Sequence, residues 1–86
     1  MRKISAVLKE YILDEFLPGE NPEELTDSTP LIEGGILDSV GTLKIVAFIE
    51  DRFSVELQAS EIGDPRHLGT ISGMVHLIQS KLGAES

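Results

Sequence analysis

Within the segment GGILDSVGT, residues 34–42, an acid and a hydroxyl stand side by side where an apolar turn becomes a helix: Asp38 and Ser39. Two kinds of chemistry suit that pair. Either residue could cap the helix by accepting a backbone N–H bond, as short polar side chains routinely do. Alternatively Ser39 is an attachment point. A helix start carries partial positive charge and free N–H groups, so a phosphate fixed there is electrostatically tolerated. Capping and attachment are compatible with each other. Nucleophilic catalysis fits less well, because a serine without a base is a weak nucleophile. The two histidines, His67 and His76, lie far along the chain and form no recognisable triad with it. An attachment serine needs no such base, since a modifying enzyme supplies one.

Other reactive constellations are missing. The twelve residues from Asp27 to Asp38 place Leu31 where a calcium loop needs its fifth-position oxygen. His67 and His76 have no partners at metal-ligand spacing, so no metal site is expected. Gly34 and Gly35 belong to neither a dinucleotide nor a phosphate-loop fingerprint and read as turn residues with positive φ. Without cysteine there is no disulfide, no zinc–thiolate centre and no thiol nucleophile. The chain is therefore not expected to be an enzyme.

The elements that would position Ser39 follow from periodicity. Ile4, Val7, Leu8, Tyr11, Ile12 and Phe16 recur at three- and four-residue steps, predicting a first helix that Pro18 and Gly19 stop. A loop then runs from about Leu17 to Asp38, long for a compact domain, with Leu25, Leu31, Ile36 and Leu37 pinning it to the core. It is expected to be ordered by side chains rather than by backbone ladders. The second helix is predicted from Ser39 to Phe53, with Leu43, Val46, Ile49 and Phe53 as its core stripe. Ile45 falls on its opposite edge, and Phe48, also there, fits either a core or a surface role. Val40 and Ala47, beside Ser39 and Lys44, read as a docking patch on a helix too apolar for an ordinary surface helix.

Ser60-Glu61 is expected to cap a short helical turn, and Asp64-Pro65 to break the chain again, with Leu68 as an anchor. Thr70 is the expected N-cap of a last helix that buries Ile71, Met74, Val75, Ile78 and Leu82 and stops at Gly83. No segment alternates with a two-residue period. The predicted fold is all-α: a small bundle of three main helices plus one short helix, with a long ordered loop between helices one and two, as a single domain over residues 1–86.

The chain has 86 residues, 41% of them apolar, and a formal charge of −8. That field disfavours nucleic acid and anionic membranes and favours basic patches on other proteins. It also serves simply to keep a small domain soluble. The opening MRKISAVLKEYILDEF reads as neither signal peptide nor membrane span, so a cytoplasmic, soluble monomer is expected.

The segment LIEGGILDSVGTLKIVAFIEDRF resembles the modification-site region of the acyl carrier protein family, which includes peptidyl and D-alanyl carrier proteins. Its marks are an Asp-Ser-aliphatic run at the start of helix two, a Gly-containing turn before it and an apolar helix ending in Phe. The helix order and long first loop extend the likeness over the whole chain, and D-S-V-G-T looks most like the D-alanyl carriers. The resemblance implies a 4′-phosphopantetheine arm on Ser39, transferred from coenzyme A, whose thiol holds acyl or aminoacyl cargo as a thioester.

By the same resemblance Asp38 helps position the modifying enzyme and its metal-bound coenzyme A. Val40, Gly41, Lys44, Ala47, Glu50 and Asp51 fall on the partner-binding helix, and Val46, Ile49 and Phe53 match an acyl cavity. The implied partners are a phosphopantetheinyl transferase, an acyl- or aminoacyl-loading ligase and downstream acyl-processing enzymes. Fatty-acid carriers show acids soon after the serine, where this chain has Gly41 and Lys44. The stretch ASEIGDPRHLGT also looks closer to carriers for amino acids or specialised products. The expectation is a freestanding carrier in a specialised pathway; the alternative is an unmodified acidic adaptor that binds partners through helix two.

Overall fold

The computed structural model describes residues 3–19 and 21–83. Its elements are α1 (Ile4–Phe16), a 3-10 turn (Pro22–Glu24), α2 (Ser39–Phe53), α3 (Ala59–Ile62), α4 (Pro65–Leu68) and α5 (Ile71–Gly83). All are helical, and three are long. Where one short helix was expected there are two, because Asp64-Pro65 starts a helix instead of only ending one. Asp64 Oδ1 accepts the Arg66 N–H at 2.9 Å, and Pro65 occupies the first helical position, where its missing N–H costs nothing. The short helix before it, α3, has Gln58 rather than Ser60 as its N-cap, and Glu61 Oε1 accepts the Gln58 N–H at 2.9 Å.

One apolar core joins α1, the long loop, α2 and the C-terminal helices. Leu8 and Ile12 from α1 meet Ile45 and Ile49 from α2, Leu68 from α4 and Ile71, Met74, Leu77 and Ile78 from α5. Each such side chain withdrawn from water contributes roughly 1.5–3 kcal/mol. On α5 the buried face includes Leu77 and leaves Leu82 at its margin, 36% exposed, a rotation from the expected stripe near the helix end. Thr70 caps α5 as expected, its hydroxyl accepting the Gly73 N–H at 3.0 Å.

The long loop is pinned by Leu25, Leu31 and Leu37, all buried, with Ile36 half-buried against them. Isolated backbone bonds also hold it, without forming a ladder. Leu31 N–H donates to the Gly69 carbonyl at 2.8 Å, and Ser72 N–H to the Asp27 carbonyl at 2.9 Å, which ties the loop to the start of α5. The Leu31 carbonyl in turn accepts the N–H groups of Ile36 and Leu37, both at 2.9 Å. The two turn glycines divide the work. Gly35 has φ of +79°, whereas Gly34 is needed for space, since a Cβ there would stand 2.4 Å from the Pro30 carbonyl oxygen.

Helix α2 has the bounds read from sequence, but its rotation differs. Leu43, expected in the core, is 64% exposed, and Ile45, expected on the far edge, is fully buried. The inward sector runs through Gly41, Ile45 and Ile49, with Val46 beside it. Phe48 resolves as a packing residue: its ring stacks on Tyr11 with centroids 3.9 Å apart. Among the described residues no helix is long and apolar enough to cross a membrane.

Candidate functional site

The start of α2 is shaped by what precedes it. Gly35 allows the reversal, Leu37 anchors it, and Asp38 leaves the chain extended, with φ −96° and ψ −168°, just before the helix begins. Of the two candidate caps, Asp38 does the capping: its Oδ1 accepts the Gly41 N–H at 2.7 Å. The Asp38 carbonyl accepts both the Thr42 N–H and the Thr42 hydroxyl, each at 2.8 Å. This binds the turn twice and fixes where the first helical residue points.

That residue is Ser39. It is exposed, and its hydroxyl has no hydrogen-bond partner among the described residues. The second carboxylate oxygen of Asp38 is equally unengaged among them. The N–H groups of Ser39 and Val40 precede the first intrahelical bond and have no partner there either. A free hydroxyl, two unbonded N–H groups and the positive end of a 15-residue helix thus converge on one spot. The arrangement has room for a phosphate group: the Ser39 oxygen is accessible, and N–H donors for phosphate oxygens stand beside it.

The surface beyond Ser39 is apolar for two turns. Val40 is 62% exposed, and Leu43 and Ala47 share its side of the helix. Leu43 was missed as a surface residue; its spacing of three from Val40 was the available signal. Lys44 is exposed with no carboxylate within ion-pair distance among the described residues, and Asp51 is exposed further along.

Two residues expected to meet partners are used internally. Gly41 is buried, with the Phe16 ring beside it. Glu50 is half-buried, and its Oε2 accepts the Leu57 N–H at 2.9 Å, holding the chain after the left-handed Ser54 that ends α2. Of the residues matched to an acyl cavity, Val46 and Ile49 are buried in the common core, and Phe53 packs half-buried against it. Neither histidine approaches Ser39 in a hydrogen bond. His76 is exposed on α5, and His67 Nδ1 donates to the Glu61 carbonyl at 3.1 Å. Among the described residues no group of three or more histidines and acids could hold a metal ion.

No protein-family model matches the chain. It is 38% identical over 58 residues to the D-alanyl carrier protein of Streptococcus suis (strain 05ZYH33), a stretch covering 65% of this chain and 72% of that protein. Its fold is similar to the apo form of KstB-PCP, with a TM-score of 0.69, 28% identity, and coverage of 95% of this chain and 86% of the other. It is also similar to a chain in a crystal structure described as an FAD-dependent dehydrogenase, with a TM-score of 0.74 and 30% identity, covering 83% of this chain and 97% of that one. Kinship over most of a relative's length, joined to the shared all-helical fold, places the chain in the carrier-protein family, whose members are non-catalytic modules that hold a pathway's cargo as a thioester and whose membership implies a phosphopantetheine group.

Proposed function

We propose that Ser39 is the attachment point of a 4′-phosphopantetheine arm and that the chain delivers acyl or aminoacyl groups from enzyme to enzyme in a specialised pathway. The observation that carries this reading is the division of labour at the start of α2. Asp38 caps the helix, so the Ser39 hydroxyl is left exposed and unbonded. The arm supplies the terminal thiol that a cysteine-free chain lacks, and with it thioester chemistry.

The chain's own residues prepare that site. The Ser39 oxygen bonds to the coenzyme A phosphorus that bears the pantetheine, its proton passes to a base of the transferase, and the pyrophosphate bond breaks to release adenosine 3′,5′-bisphosphate. The unbonded N–H groups of Ser39 and Val40 lie where phosphate oxygens need donors. The free oxygen of Asp38 is available to the metal-bound coenzyme A of the transferase. Cargo that retreats between the helices would do so beside Val46, Ile49 and Phe53.

Partner choice lies on the exposed side of α2. A charge of −8 favours encounter with basic surfaces. Next to Ser39, however, the contact is made by Val40, Leu43 and Ala47, with Lys44 as the nearest charge, and Asp51 enters only further along. An apolar contact with one cation suits a loading ligase and processing enzymes other than those of fatty-acid synthesis. The D-alanyl carrier relative supports an aminoacyl cargo among the possibilities. The whole chain acts as one carrier unit, in the cytoplasm where coenzyme A is at hand.

Intact mass after incubation with coenzyme A and a promiscuous phosphopantetheinyl transferase tests the reading. Wild type is expected to gain one arm and Ser39→Ala none. No gain by wild type, or equal gain by both, would overturn it.

A further inference from the structure

Gly41 is the one buried residue in the first turn of α2, residues 39–42. Its backbone is helical rather than left-handed, so its conformation does not call for glycine. Glycine inside a helix costs stability relative to alanine, and some other requirement must offset that. The surroundings supply it. A Cβ at position 41 would stand 3.0 Å from Phe16 Cε1, 3.2 Å from Asp38 Oδ1 and 3.5 Å from Leu37 Cδ2. The first two separations are tighter than ordinary carbon contacts, which lie near 3.5–4.0 Å.

These neighbours are also the parts that set the Ser39 turn. Asp38 Oδ1 is the capping atom, 2.7 Å from the Gly41 N–H. Phe16 is the last residue of α1, so its ring is where the end of α1 supports the start of α2. Leu37 is the buried anchor of the preceding turn.

We propose that Gly41 is a positioning residue for modification of Ser39: its missing side chain lets the Phe16 ring and the Asp38 carboxylate close on the first turn, which holds the Ser39 hydroxyl outward. The proposal rests on Ser39 being the attachment residue. A methyl group at position 41 displaces the ring edge, the capping oxygen or both by a few tenths of an ångström. Geometry of that kind governs the rate of transfer to Ser39 more than it governs recognition, because the docking face of Val40, Leu43 and Ala47 lies on another side of the helix.

The experiment compares wild type, Gly41→Ala, Gly41→Ala with Phe16→Leu, and Val75→Ala as a packing control on α5. The rate of arm gain from coenzyme A is followed by mass with a promiscuous transferase, and amide hydrogen exchange at position 41 is read in the unmodified proteins. Gly41→Ala is expected to lower kcat about tenfold with KM for the carrier within about twofold. Exchange at residue 41 should quicken as the cap loosens. Phe16→Leu, which withdraws the ring edge, should return kcat to within about threefold of wild type. Should Gly41→Ala lose its helical signal, Phe16→Trp presses the same contact from the other side and carries the same expectation.

Wild-type kcat and exchange in Gly41→Ala would overturn the proposal. So would a loss no greater than that of Val75→Ala, or no recovery with Phe16→Leu. Failure of wild type to gain an arm would instead sink the Ser39 reading, and this proposal with it.

Discussion

Two regions of the molecule, the start of α2 and the corner of α3, α4 and α5, are built on opposite terms. Around Ser39 the polar groups are left open: one oxygen of Asp38, the Ser39 hydroxyl, two N–H groups and the Lys44 ammonium have no partners among the described residues. In the corner of α3, α4 and α5 polar groups are matched. Glu61 Oε1 takes Lys81 Nζ at 2.8 Å and the Gln58 N–H at 2.9 Å, Asp64 holds Arg66, and His67 holds the Glu61 carbonyl. The backbones also approach closely there, since a Cβ on Gly73 would stand 2.1 Å from the Arg66 carbonyl oxygen. The corner gains order from closure. The start of α2 keeps groups that folding leaves unused, and its rigidity is borrowed from Phe16, Leu37 and the Asp38 cap.

Three substitutions or conditions probe that contrast. The largest effect is expected from Gly73→Ala, which forces backbone from backbone where α5 crosses α4. Overpacking of this kind costs about 3 kcal/mol, read as a lower denaturation midpoint. The rate of Ser39 modification in the folded fraction should be unchanged. A silent Gly73→Ala would show that the corner is not the tightly packed region described.

Asp38 comes next. Asp38→Ala removes the cap and should cost about 1 kcal/mol. Asp38→Asn keeps an acceptor for the Gly41 N–H and should recover most of that stability. If the carboxylate also serves the transferase, Asn will restore the denaturation midpoint but leave the rate of arm gain low. Recovery of both would reduce Asp38 to a cap.

The smallest effect is acid dependence in the corner. The Lys81 ammonium, with help from the Gln58 N–H, holds the Glu61 carboxyl below its usual range, and the Arg66 guanidinium with its backbone N–H brings Asp64 to about 2. Folded values below the unfolded ones mean that these groups stabilise fully above about pH 4.3. The contribution is lost as pH falls through the folded values, for Asp64 toward about 2. Glu61→Gln should therefore lie below wild type in midpoint at pH 7 and approach it near pH 3. A gap that stays constant with pH would break the account. Both acids are solvent-exposed enough for the effect to be modest.

Much of this was readable in the residues. The bounds of α2, the Thr70 cap, the leucine anchors of the loop and the Asp-Ser pair are local features, and local chemistry marks them. The rotation of α2 was not readable. Gly41, Val40, Leu43, Ile45, Ala47, Phe48 and Ile49 make the helix apolar or small nearly all round, so periodicity names no single inward face. The spacing therefore predicts Leu43 in the core stripe and Ile45 on the opposite edge, whereas the structure exposes Leu43 and buries Ile45. Glu50 likewise reads from sequence as a surface acid, because the Leu57 N–H whose bond it accepts lies beyond a left-handed turn that no pattern announces.

The sequence by itself determined that the chain is all-helical, acidic and without cysteine, and that one serine stands next to an acid at a helix start. Each of those follows from residue type and short-range spacing. Only the tertiary structure decided which of the pair caps and which stays free, which side of α2 faces outward, and that Gly41 is a seat for Phe16 rather than a contact for partners. The seat of Gly41 depends on how the end of α1 meets the start of α2. That contact joins residues 25 apart in the chain, Phe16 and Gly41, and no local preference of either one encodes it.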